Sequence, residues 1–455
     1  MKRIIFIISL LLAIYMHAKS QDSSAIATKD DVAEIKGAID GLNETISDMK
    51  STLDALKKIK ISGYLQAQYQ VAESAGVASY AGGNFPQNVK SRFQVRRGRF
   101  KINYDNDLTQ YVLQLDVTQN GVAIKDAYAS VKEPWMRLAT LTGGIFDRPF
   151  GFEISYSSSM REAPERTRMY QILFPGEREL GAKIELTPET SPLSFFNLKA
   201  GIFNGVLNNA NENDRWKDFI GRLGFQLPFE EQSLAIDGGF SLYSGAVTNN
   251  SKYIFSYNES SGMKRFQIDS SISNLGSQVK RTYYGVDLQI YYDMPIIGGA
   301  SLRGEFIGGK QPSTDKSIGF YNPEAASSTD QKSVIDGKKI TSLYHRKIAG
   351  WYVNYIQNIG LKHQFVLKYD MFDPNIDITG DDIGKNGSNF TAADIKYTTL
   401  GIGWIYHWDA NVKFVFYYDW VTNEKVNSSA TSSSLAPFKE DVKDNVFTLR
   451  MQYKF

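Results

Sequence analysis

Two periodicities divide the chain. Over residues 28–58 the apolar positions step by three and four, with Val32, Ile39, Ile46 and Leu53 in one register and Ile35, Leu42, Met49 and Leu56 in the other. That is a heptad seam, and it predicts one helix carrying a stripe that it cannot bury alone. The expected outcome is a short coiled coil between chains, somewhat weakened by Gly37 and Gly41. β-Branched a positions mixed with leucine at d leave two and three strands equally open. From Lys60 onward the period becomes two. Ile61, Leu65, Ala67, Tyr69 and Val71 mark one face, while Ser62, Gln66, Gln68 and Gln70 mark the other.

The same alternation predicts strands at 61–71, 92–104, 109–118, 122–132, 137–146, 180–187, 195–204, 218–227, 233–243, 282–293, 300–309, 347–358, 362–372, 397–408, 411–420 and 446–455. There are about sixteen, each about ten residues long, which is the length of a tilted strand crossing a bilayer. Their connections alternate long and short: 72–91 is long and the Asp105-Asn106-Asp107 turn short, 244–281 long and Met294–Gly299 short, 421–445 long. Only the link at 119–121 breaks the rule. Short turns on one side and long loops on the other are the habit of membrane barrels, and a sandwich has no reason to keep it. The fold expected is all-β: a transmembrane antiparallel β-barrel of about sixteen strands, preceded by a short N-terminal coiled-coil helix. An even strand count puts both termini on the periplasmic side. The long loops, rich in Ser, Asn, Gly and Asp as at 427–434, read as solvated surface.

In such a barrel the apolar set faces lipid and the polar set faces water. Val412, Phe414, Phe416, Tyr418 and Trp420 take the first role, Lys413 and Asp419 the second. The lumen is therefore expected to be wet and not a packed core. The second strand is the most charged. Arg97, Arg99 and Lys101 form a basic column on its inner face, and Phe93 and Val95 fall on the wrong phase, so a bulge is expected near Arg96. The column would either attract anions or be neutralised by lumen carboxylates. The link at 147–179 is too long and too apolar for a simple outer loop, and is expected to fold into the lumen and narrow it. The cations expected to line the pore are Arg97, Arg99, Lys101, Arg161, Arg166, Arg168, Arg178, Lys183, Lys199, Arg222, Arg303 and Lys368.

Composition sharpens the picture. Met1, Lys2 and Arg3 precede an apolar run from Ile4 to Met16, then Ala18-Lys19-Ser20, which together read as a secretory signal over residues 1–20. A periplasmic coiled-coil segment over 21–59 and the barrel over 60–455 would follow. Losing Lys2, Arg3 and Lys19 turns 51 basic against 49 acidic residues into 48 against 49, a net charge of −1 that argues for no nucleic-acid partner. The chain has no cysteine, so it has neither disulfides nor a lipid anchor on a thiol. Mean hydropathy is −0.31, and no apolar run after Met16 approaches the length of a membrane helix. A chain of this hydropathy can span a bilayer only as a barrel. The counts of Tyr 26, Phe 27 and Trp 6 suit aromatic girdles.

Catalysis finds little footing. His345, His363 and His407 are scattered without a nucleophile motif, and no cofactor is expected. Asp373, Asn375, Asp377 and Asp381 resemble the start of a calcium loop, but the glycine comes late at Gly380 and position twelve is Gly384, so a solvated loop is the expectation.

Several short pieces, in order, carry a family resemblance: Arg96-Arg97-Gly98-Arg99, Asp126-Ala127-Tyr128, Gly144-Ile145-Phe146, Pro149-Phe150-Gly151-Phe152-Glu153, Pro175-Gly176-Glu177-Arg178-Glu179-Leu180-Gly181, Phe203-Asn204-Gly205, and Lys368-Tyr369-Asp370 with Asp373-Pro374-Asn375. Over 61–455 the chain resembles the phosphate-selective porin O and P family. The resemblance implies a homotrimer of sixteen-stranded porins in a Gram-negative outer membrane, an inward third loop, and basic residues guiding small solutes or anions. The ending at Phe455 resembles the signal read by the outer-membrane assembly machinery. The rival expectation is a barrel serving as a structural tether or surface-binding protein.

Overall fold

The computed structural model describes residues 28–188, 192–207, 212, 214–319, 334–335, 338–339 and 342–455. The expected signal segment 1–20 lies outside them. Helix α1, Lys29–Lys57, starts where Thr28 and Asp31 cap each other: the Thr28 amide donates to Asp31 Oδ2 at 2.9 Å and the Asp31 amide to Thr28 Oγ1 at 3.3 Å. Asp30 and Asp31 sit at the positive end of its dipole and Lys57 at the negative end. Its apolar stripe is exposed, with Leu42 60% and Leu56 58% accessible.

The wall strands of the barrel are β1 Ile59–Ala72, β2 Ser91–Asn106, β3 Thr109–Thr118, β4 Gly121–Lys132, β5 Ala139–Asp147, β6 Arg178–Leu186, β7 Phe196–Phe203, β8 Asp218–Phe229, β9 Leu234–Thr248, β10 Gln278–Met294, β11 Gly298–Ser313, β12 Leu343–Ile359, β13 His363–Asp373, β14 Tyr397–His407, β15 Val412–Asn423 and β16 Val446–Lys454. Each pairs antiparallel with its neighbours, and β1 closes on β16 from Tyr64↔Lys454 to Ala72↔Val446. The last residue is sewn into the seam, since the amides of Gly63 and Phe455 donate to each other's carbonyls at 3.1 and 3.0 Å. Closure leaves no strand edge unpaired, which lipid requires. All sixteen expected windows are strands. The wall differs in height, because β9, β10, β11 and β12 run several residues further at the long-loop end than the alternation suggested.

Along the wall the alternation sorts side chains as expected. Leu65, Phe240, Leu288, Leu367, Trp404 and Met451 face out and are 39% to 45% exposed, whereas Gln66, Gln68, Ser241, Gln289 and Thr448 face in and are buried. The phase changes between Phe93, which lies outside against Tyr69 at 4.7 Å, and Arg97, which lies inside. Arg96 and Arg97 both reach the same inner carboxylate, and two consecutive side chains on one face mark an extra residue in the strand.

Two expectations are corrected. The long loops are not merely solvated. A hairpin of Ile254–Ser260 and Met263–Asp269 packs with segments 374–396 and 424–445 around Phe266, Ile378, Ile383, Phe390, Ile395, Val426 and Leu435. Their apolar residues are sparse and aperiodic, so no pattern announced this cap. The lumen is also not wholly wet. Phe203, Ile220, Tyr243, Tyr283, Ile307, Ile348, Tyr352 and Phe372, all on inner faces of β7–β13, form a dry cluster. Its other half comes from the β5–β6 link.

Candidate functional site in the barrel lumen

Between β5 and β6 the chain turns inward. Phe150, Ile154, Met169, Tyr170, Leu173 and Phe174 of this link are 0% to 1% exposed and complete the dry cluster. Each such side chain contributes about 2 kcal/mol by leaving water. A short helix, α2 Arg168–Leu173, carries four of the link's buried apolar residues. Gly350 on β12 lets Met169 approach its backbone, and Gly151, at φ +60°, sits where any Cβ would overlap Tyr170 and Glu305.

Glu305 on β11 anchors this side. Its carboxylate accepts from the Phe152 amide at 2.8 Å, the Glu153 amide at 2.7 Å, and the Tyr170 and Tyr352 hydroxyls at 2.5 Å each. Four donors satisfy a buried acceptor that would otherwise be costly. The Gly151 amide donates to Ser241 on β9 at 2.9 Å, half-way around the ring from β1.

The far end of the link is held by charge. Glu165 accepts from Arg96 Nε at 2.8 Å, Arg97 Nη2 at 2.9 Å and Arg450 Nη2 at 3.1 Å, so three guanidiniums share one carboxylate. Burial alone would raise that carboxyl, but Arg96, Arg97 and Arg450 outweigh it and hold it well below the ordinary range. Carbonyls of the link take the remaining wall donors: Ser158 from Gln66 at 2.9 Å, Ser159 from Lys413 at 3.0 Å, and Pro164 from Arg450 at 2.8 Å. Burial, then Arg166 and Arg97, push Arg161 down to about 9. Its Nε and Nη2 donate to carbonyls of Ala163 and Pro164 at 3.2 Å, and its Nη1 is buried with no partner among the described residues.

The twelve expected lining cations do not converge. Arg97 meets Glu165, and Arg99 meets Asp116 at 3.0 Å, so carboxylates answer the upper part of the basic column. Lys101 lines a 320 Å³ cavity with Arg99, Gln114, Asp126 and Arg166. Arg166 is tied to Glu177 and to carbonyls of Glu153, Ile154 and Tyr156. Arg168 is stacked between Tyr397 at 3.6 Å and Tyr80 at 4.8 Å. Arg178 binds Asp126 at 2.8 Å, Lys183 lies 3.9 Å from Asp147, and Lys199 lies 3.5 Å from Glu185. Arg222 pairs with Asp287 at 2.6 Å, Arg303 with Glu162 at 3.2 Å, and Lys368 with Asp370 at 3.5 Å. Glu177 is likewise held low, because Arg166, Lys125 and Arg178 outweigh its burial. The alternation sets Lys413, Arg450 and Glu305 on the wet phase of clean strands, but nothing in it singles them, or Arg96, out as site residues. Their partners on the link could not be guessed.

Open space lies on the short-turn side of the link. A mixed polar cavity of 400 Å³ is lined by Phe152, Ser155, Asn197, Lys199, Arg222 and Gln289, and a more apolar one of 410 Å³ by Leu234, Tyr291, Ile356, Arg303, Asn358 and Gln364. The histidines make no joint site, for His363 stacks on Trp404 at the outer face, while His407 lies on the inward phase of β14. Among the described residues no cluster of acids and histidines could hold a metal, and Asp377 of the suspected calcium loop is tied to Lys347 at 2.9 Å.

No family model matches the chain, and no curated protein matches it either. Solved structures do resemble it. OprB of Pseudomonas putida is 9% identical, with 89% of this chain and 96% of that one covered and a TM-score of 0.55. An anion-selective porin from Comamonas acidovorans is 12% identical over 87% of this chain and 99% of that one, with a TM-score of 0.49. The outer membrane channel DcaP of Acinetobacter baumannii is 12% identical over 87% and 97%, with a TM-score of 0.48. At such identities the likeness to OprB is one of fold, the closed barrel of sixteen antiparallel strands.

Proposed function

We propose that the protein is an outer-membrane porin through which small hydrophilic solutes and ions diffuse passively, with segment 147–179 as its constriction. The observation that carries this reading is the link itself. It crosses a ring whose outer face is apolar, docks on both walls, and leaves polar cavities beneath it. Anions are favoured. Arg96, Arg97 and Arg450 share the carboxylate of Glu165 beside Arg161 and Lys413, so cations outnumber acids on that side, and one Arg161 nitrogen is unanswered among the described residues. Preference for phosphate in particular is not part of the proposal, since carboxylates neutralise most other lumen cations.

In this reading residues 1–20 are removed on export, 21–59 join three chains through the α1 stripe in the periplasm, and 60–455 form the barrel. Both termini are periplasmic, and Phe455 serves the assembly machinery. The decisive experiment is a planar bilayer held in a salt gradient. Stepwise, ohmic conductance with a reversal potential toward chloride is expected, and a silent bilayer would overturn the channel. The packed loop cap is what a surface-binding barrel would also need, so a silent bilayer would turn attention there.

A further inference from the structure

The outer face of β10, β11 and β12 carries three exposed lysines at the long-loop rim. Lys310 stands directly opposite Lys347, and Thr282, the other neighbour of Lys310, is two residues from Lys280. Directly opposed side chains on paired strands lie about 5 Å apart, where like charges repel. Lys347 has a counter-charge in Asp377 at 2.9 Å. Lys280 and Lys310 have no ion pair among the described residues. The other titratable groups on this face are His345, one rung further out beside Pro312, and Asp373, one strand on from Ala349.

What lies beneath the lysines is equally specific. The next outward rung is Tyr284, Gly308 and Ala349, and the one below is Val286, Phe306 and Trp351. Ala349 makes a shallow shelf between larger side chains, while Gly308 is buried. Tyr284 leans over Gly308, where an added Cβ would come within 2.6 Å of its hydroxyl. The aromatic rung is about 13 Å below the lysines at a strand's rise. A cationic rim above an apolar shelf has the order of charges and chains in an amphiphile.

We infer that this face holds a phosphorylated lipid of the leaflet that meets the long loops. The phosphates bridge Lys280 and Lys310, with Lys347 alongside, and an acyl chain lies on Ala349 between Tyr284 and Trp351. The anion relieves the lysine repulsion, and the shelf gives the chain a place that a free ion would not use. This rests on the membrane-spanning reading above and deepens it by naming a lipid partner.

The test uses the full protein in dodecylmaltoside micelles, with native mass spectrometry after adding lipid A, phosphatidylcholine or inorganic phosphate. Lipid A is expected to bind, phosphatidylcholine not, and excess inorganic phosphate to leave the bound lipid in place. In Lys280→Gln/Lys310→Gln, binding should weaken at least about tenfold, while heat-resistant mobility on gels and conductance in zwitterionic bilayers stay unchanged. Equal binding by the double variant, or displacement of the lipid by inorganic phosphate, would overturn the proposal. Conductance is read separately, so a silent bilayer with intact lysine-dependent binding would sink the pore and spare the lipid site.

Discussion

The β5–β6 link is held in the lumen by two unlike means. On the β9–β12 side it is embedded, with Tyr170, Leu173 and Phe174 dry and Glu305 accepting from four donors. On the β15–β2 side it is tethered by one carboxylate among three arginines and by carbonyls that accept from Lys413 and Arg450. The embedded side depends on burial and shape, and the tethered side on charge. One anchor sets where the segment sits, while the other, in the proposed porin, would set the field that a solute meets.

The largest effect should come from breaking the embedded side. Glu305→Ala leaves two amides and two hydroxyls without their acceptor at a cost of about 1 kcal/mol or more each, several kcal/mol in all. The expected result is a larger single-channel conductance and new protease cleavage within 148–177. An unchanged conductance would mean that the apolar cluster suffices. Gly151→Val tests the same contact from the other partner. Its side chain must occupy the place of the Tyr170 hydroxyl, so it should phenocopy Glu305→Ala.

The tethered side should give a smaller change in pore size and a larger one in selectivity. Glu165→Gln removes the negative charge shared by Arg96, Arg97 and Arg450. Stranding buried charge costs about 3–5 kcal/mol when nothing relaxes, although Arg96 is 36% exposed and can turn to water. The reversal potential should move further toward chloride. Because the folded carboxyl lies below its ordinary 4.5, its stabilisation is complete above that value and is lost as pH falls through the lowered one. Wild-type selectivity should therefore hold steady down to about pH 4.5 and change only in stronger acid. Glu165→Gln should lack that acid limb. A wild-type transition near neutral pH would assign the tether to another group.

How far the two sides could be read in advance follows from the same contrast. The wall was legible because hydrocarbon outside and a ring inside force every second residue to declare itself, and Leu449 and Arg450 do so at adjacent positions. The tether was half legible. Arg97 and Glu165 were visible as charges, but their meeting depends on a fold-back that no local pattern encodes. The embedded side and the cap were illegible, because Tyr170 with Glu305, or Ile383 with Leu435, are contacts between distant segments whose apolar residues keep no period.

The smallest effect is expected in the cap, which sharpens the comparison by combining both means. Asp444 is buried beside Val442 and Val446, and burial, despite the opposing pull of Arg168, raises its carboxyl to about 7. A raised carboxyl works in the opposite sense to Glu165. The stability linked to it is present in full below the unfolded value of 3.8 and is lost as pH rises through about 7. The cap should therefore loosen as pH rises from about 3.8 to about 7 while the link stays docked. With the intrinsic pH dependence of amide exchange divided out, protection across 424–445 should fall over that range and level off above it, with protection across 148–177 unchanged. Asp444→Asn cannot ionise, so its cap should keep one level of protection throughout. If the wild-type cap already does so, the charge of Asp444 is met by a partner, and the cap is held by its apolar residues alone.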